Sequence, residues 1–253
     1  MVAAALLAAR SAAAQAFNWL ADQRSVNVSG WAQAAPDPTT NYLNGQGSLT
    51  PFADFTGNAS GGVNAYSVGT GPYGLDVSAS AQSQASQDSL LTPTQLLVSA
   101  SVRATTASLL PTWGGSCDAE AQSLLEISFS VSSPLEYNLS ASKNLYVIGV
   151  GSIDFGCNLS SVNQGVIWSG FDTFSQPVSG MLVSGDLYTI QVLLDARTST
   201  PDPLGTDVHV GMDVAFTIIP EPSSIWLLVM ALAGLFVSRH KGLQQRGPSR
   251  GSQ

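Results

Sequence analysis

The sequence predicts an all-β fold, an antiparallel β-sandwich or jelly-roll-like domain, followed by a single short C-terminal transmembrane helix. Three observations point there. Apolar residues recur at every second position in several separate stretches, turn-forming clusters lie between those stretches, and one uncharged run stands near the C-terminus. Charged residues make up only 10% of the chain, while Ser, Thr, Asn, Gln, Gly and Ala dominate, a composition common in secreted β proteins. From Phe17 to Ile219 four cations stand against sixteen acids. Binding a nucleic-acid backbone needs clustered cations, so nucleic acid is excluded as a partner.

The chain begins MVAAALLAARSAAAQAFNW. Val2 to Ala9 form a short apolar stretch, and Ala14-Gln15-Ala16 place small residues where a signal peptidase cuts. Residues 1–16 are therefore expected to be an export signal, with its basic n-region missing and Arg10 late. An Ala-rich helix of the folded domain is the alternative.

Residues 17–219 are expected to form one extracellular β domain. Its alternating segments are, in order, Val98-Ala100-Val102, Leu125-Ile127-Phe129-Val131, Leu135-Tyr137-Leu139, Tyr188-Ile190-Val192-Leu194 and Val208 to Ile218. In the last, every even-numbered residue is apolar. Asn44-Gly45-Gln46-Gly47, Ser60-Gly61-Gly62, Gly69-Thr70-Gly71-Pro72 and Ser199 to Pro203 read as turns. Residues 80–95 (SAQSQASQDSLLTPTQ) are too polar to read as a strand and are expected to be a loop or a short helix. Cys117 and Cys157 are an even count in a chain that looks exported, so a disulfide between them is expected. Closing a loop of that size would contribute roughly 4 kcal/mol. Two separate thiols are the alternative.

After the domain comes IIPEPSSIWLLVMALAGLFVSRHK. The apolar run is Ile225, Trp226, Leu227, Leu228, Val229, Met230, Ala231, Leu232, Ala233, Gly234, Leu235, Phe236 and Val237, within a span of 224–238. At 1.5 Å per residue it reaches about 20 Å, short of a hydrocarbon core of about 30 Å. Length alone would equally allow a buried core helix. Pro220 and Pro222 stop a helix from entering from the preceding strand, Trp226 sits where an interfacial aromatic belongs, and Arg239, His240 and Lys241 close the far end. These features favour a marginal membrane span with residues 239–253 as a basic cytoplasmic tail.

The ordered set of Pro220-Glu221-Pro222, Ser223-Ser224, the short run and the basic end resembles the PEP-CTERM sorting signal. The resemblance covers about the last eighth of the chain, and the segment from Gly242 to Gln253 is longer than such signals usually carry. It implies export across the inner membrane of a Gram-negative bacterium and processing by a membrane-embedded exosortase-type protease. The precursor would be held in the lipid bilayer, and the mature protein would reach the cell surface or matrix, with a link to extracellular polysaccharide.

Chemistry-bearing motifs are sparse. Gly69-Thr70-Gly71-Pro72-Tyr73-Gly74 fits G-x-G-x-x-G, but Pro72 removes a backbone donor and an alternating segment follows, so it reads as a turn. His209 is the one imidazole of the β domain, and no G-x-S-x-G is present. One histidine and two cysteines do not make a zinc site, and Asp202, Asp207 and Asp213 lack a calcium-loop spacing. Neither cofactor nor metal is expected. The expected protein is non-catalytic, a sorted surface or matrix protein. The alternative is a secreted carbohydrate-binding or carbohydrate-active module with the same tail. A concave sheet face lined by Trp113 or Trp168 beside carboxylates would favour it, and Tyr188 is a third aromatic able to stack on sugar rings.

Overall fold

The computed structural model describes residues 17–48, 50–109, 114–170, 176–199 and 205–219. Within them the chain is all-β, two antiparallel sheets of six strands each. The strands are β1 (Phe17–Ala34), β2 (Thr40–Gly47), β3 (Phe55–Ser67), β4 (Val77–Thr92), β5 (Gln95–Leu109), β6 (Gly115–Val131), β7 (Leu135–Ile148), β8 (Gly151–Ser161), β9 (Gly165–Gly170), β10 (Val178–Leu182), β11 (Leu187–Ser199) and β12 (Thr206–Ile219). The first sheet runs β2-β1-β6-β11-β8-β9 and the second β10-β7-β12-β5-β4-β3. From β5 onward the chain crosses between the sheets at nearly every connection, so neighbouring strands are mostly distant in sequence.

The alternation explains the layering. Side chains on a strand point to opposite faces in turn, so an even- or odd-numbered apolar set faces one way. Leu125, Ile127, Phe129 and Val131 of β6, Tyr188, Ile190, Val192 and Leu194 of β11, and the even residues from Val208 to Ile218 of β12 are all buried between the sheets. Phe129 is the hub: its ring lies 5.4 Å from Tyr188, 5.4 Å from Phe216 and 5.6 Å edge-on from Trp19. Tyr188 is thus a core aromatic, its hydroxyl accepting the Val183 N–H at 2.6 Å. It is not available for stacking on a ligand.

Residues 80–95 correct the loop expectation. They lie in β4 and the start of β5, paired with β3 on one side and continuing as a hairpin on the other. Their buried set is Ala81, Ser83, Ala85, Gln87 and Ser89, with Leu91 at the far end. The alternation is present, but small and polar residues carry it because the facing sheet stands close there. The Tyr42 hydroxyl of β2 bonds Ser83, and Ser123 of β6 donates to Gln87 at 3.1 Å.

Two expected turns are also strands. Asn44 to Gly47 fall in β2 and Ser60 to Gly62 in β3, the outermost strands on one side of the sandwich. The glycines serve close approach: a Cβ on Gly61 would collide with the Tyr42 ring, and one on Gly45 with the Asn27 side chain. Asn44 donates to the Ser60 carbonyl at 3.1 Å, and Gln46 accepts from the Asn58 N–H at 2.9 Å. These bonds suture the two sheets along that edge. Gly69 to Gly74 do form a turn, with a single 3-10 turn at Pro72–Gly74.

The expected disulfide is not formed; Cys117 and Cys157 are both thiols. Cys117 lies on β6 and Cys157 on β8, with β11 between them. Cys157 is level with Val192, which is level with Leu125, eight residues along β6 from Cys117. That offset is roughly 26 Å along the strand at about 3.3 Å per residue, whereas bonded cysteines need Cα atoms within about 7 Å. Cys117 donates to the Ala107 carbonyl at 3.4 Å. Burial pushes the Cys157 thiol up to about 12, which keeps it protonated and inert.

The expected export signal (1–16), Pro220, Glu221, Pro222, the span 224–238 and the basic segment from Arg239 lie outside the described residues, as do Trp113 and Asp202. Among the described residues no helix is long and apolar enough to cross a membrane.

Candidate functional site

Antiparallel register brings distant residues into one row on the outer face of the second sheet. Ser60 of β3 is level with Gln84 of β4, Gln84 with Arg103 of β5, Arg103 with His209 of β12, and His209 with Tyr146 of β7. Five strands about 4.8 Å apart make the row roughly 19 Å long. The next row outward on the same face is Asn58, Ser86, Ser101, Gly211 and Asn144. Gly211 leaves bare backbone beside His209. Asn44, Asn58, Ser60, Gln84, Ser86, Ser101, Arg103 and His209 line a shallow depression of about 530 Å³. A second, of about 560 Å³, opens further along the same face around Asp88, Ser99, Ser142 and Asp213.

The depression is polar yet nearly neutral. Arg103 donates through Nε and a terminal nitrogen to Asp207, at 2.9 and 2.6 Å. That hydrogen-bonded carboxylate holds the guanidinium above its ordinary value. The charge is fixed and its partner is built in, in the bidentate geometry that suits arginine. Ser86 and Ser101 bond each other at 2.8 Å. What remains facing outward is hydroxyl, amide, imidazole and phenol, groups that both donate and accept.

His209 faces outward as its odd position requires, half-buried between Arg103 and Tyr146. Asp207 is tied to Arg103, while Asp213 is exposed on the same strand. Among the described residues no three His, Cys, Asp or Glu side chains come together closely enough to hold a metal ion. Trp168 of β9 packs against the core on the first sheet and does not line this face. On the first sheet's outer face the acids converge on one cation. Arg197 donates to Glu120 at 3.0 Å and to Asp195 at 2.8 Å. Burial raises the Asp118 carboxyl, and Arg197 pulls it partly back.

The sequence singled out His209 in this row and missed Ser60, Gln84, Arg103 and Tyr146. Only strand register assembles them.

No family model matches the chain, and no curated protein does. A solved GH31 alpha-xylosidase from Xanthomonas citri aligns with a TM-score of 0.20 and 9% identity over 75% of this chain. The chain spans 27% of that protein's length.

Proposed function

We propose that the protein is an exported, non-catalytic surface or matrix protein sorted by its C-terminal signal. The carrying observation is the order Pro220-Glu221-Pro222, short apolar run, Arg239-His240-Lys241, attached one residue after β12 ends at Ile219. β12 is an inner strand, paired with β5 and β7 on its two sides. In this account a rigid, proline-flanked carboxylate is presented at the bilayer surface to an exosortase-type protease. The apolar run is too thin for a comfortable span and serves as a temporary hold. Replacing Pro220, Glu221 and Pro222 with alanine tests this in the bacterial host. The variant's β domain stays protease-resistant, and the precursor accumulates in the inner-membrane fraction. Release at the normal rate overturns the reading.

A second reading, carbohydrate binding, is favoured by the row Ser60-Gln84-Arg103-His209-Tyr146. A neutral, hydroxyl-rich strand lying across the five β-strands would find donors and acceptors at each step, and the half-exposed Tyr146 ring at one end. The double variant His209→Ala with Tyr146→Ala should lose at least tenfold in affinity for any neutral glycan that binds on an array. Unchanged binding removes the row from that role.

A further inference from the structure

The two sides of the sandwich are finished differently. Along β2 and β3 the edges are sutured by Asn44 and Gln46. On the other side, β10 pairs with β7 only from Leu135 to Leu139, and β9 pairs with β8 only from Cys157 to Ser161. Among the described residues, nothing pairs with the outer edge of β7 from Ser140 to Ile148, or with that of β8 from Gly151 to Gly156. The two open edges are joined through Gly149 and Val150 and lie one above the other, with Lys143 Nζ 4.5 Å from the centre of the Phe155 ring.

The side chains along this edge are those of an interior strand. Leu145 and Val147 belong to the inward set, level with Val210 and Val208. Those two partners are fully buried, yet Leu145 and Val147 are each 46% exposed. Tyr146 and Ile148, on the opposite face, are 50% and 49% exposed, and Val150 follows at 63%. A continuous apolar run such as Leu145-Tyr146-Val147-Ile148 marks a strand covered on both faces, whereas a solvent edge alternates or carries charge and proline. Lys143 does not guard the edge, because it is folded onto Phe155.

We infer that this side of the sandwich is an interface with a second copy of the chain, formed by antiparallel pairing of β7 with the same strand of the other copy. Among the described residues these backbone donors and acceptors have no strand partner, and their spacing is a template for another strand. The open edge is two-layered, so a single extended peptide would satisfy β7 and leave β8 bare. A second copy carries the same two layers at the same separation. Between Ser140 and Gly156 the only charges are Lys143 and Asp154, of opposite sign, so two copies meet with little repulsion. The inference is independent of the sorting signal and shares only Tyr146 with the polar row.

Full-length protein in detergent, studied by sedimentation and by amide hydrogen exchange at rising protein concentration, tests it. The expected result is a dimer whose exchange slows with concentration at 140–148 and 151–156 and not at β2 or β3. Val147→Lys and Ile148→Lys, both at half-exposed positions, should each weaken association at least tenfold while leaving far-ultraviolet circular dichroism unchanged. The exchange pattern needs no variant, so it decides even if a lysine variant misfolds. A monomer at all concentrations, or a dimer with protection elsewhere, overturns the inference.

Discussion

At the scale of single residues, the unusual feature is an ion pair inside the sandwich. Asp22 and Arg24 both lie on the inward face of β1, and both side chains are 0% exposed. Arg24 donates through Nε to Asp22 at 2.7 Å and through its two terminal nitrogens to Ser89 Oγ at 3.0 Å and the Ala53 carbonyl at 2.6 Å, with Phe55 beneath the guanidinium at 5.6 Å. Asp22 also accepts the Phe52 N–H at 2.6 Å. The pair therefore fastens the connection between β2 and β3 to the first sheet and links β1 to β4. Removing one partner strands the other charge in a dry site. Asp22→Ala should cost about 3–5 kcal/mol in chemical denaturation, and Asp22→Leu combined with Arg24→Met should recover most of the loss. A cost below about 1 kcal/mol would mean that water reaches the pair. Nothing in the sequence marked Asp22 or Arg24 as buried, since charge ordinarily signals exposure.

At the scale of elements, β12 and β4 show what a pattern reveals and what it hides. The β12 alternation uses large apolar residues, and its inward set from Val208 to Ile218 is legible as written. β4 alternates just as strictly, but between Val77 and Leu91 at its ends its inward residues are alanine, serine and glutamine, which carry little hydrophobic signal. The spacing of the sheets decides that choice. Tyr42 reaches across to Ser83, and Ser123 reaches Gln87, so there is room only for small side chains between them. Ala81→Leu should therefore destabilise by about 1–3 kcal/mol through overpacking, measured as a lower denaturation midpoint with an unchanged slope. A neutral or stabilising effect would show an unfilled gap at that position. The outer-face row was illegible for a different reason. His209 stood out as a lone imidazole, but Ser60, Gln84, Arg103 and Tyr146 join it through five strands paired across long stretches of sequence. The cysteine expectation failed on the same ground, because parity of count says nothing about register.

At the scale of the whole molecule, the last described strand of the second sheet ends at Ile219, between two neighbours. Among the described residues, its core of Phe129, Tyr188, Phe216 and their neighbours is drawn from the twelve strands. Cutting after the proline-flanked glutamate would therefore leave every described strand intact. In the proposed account, one sutured edge and one open edge among the described residues would leave the processed domain a side on which to associate. The most direct test of the sorting account is mass spectrometry of the C-terminal peptide of the protein recovered from the cell surface or medium. The account predicts a mature chain that ends near Pro220 to Pro222 and lacks Ile225 onward. Recovery of that mature form with an intact peptide running through to Gln253 would contradict it.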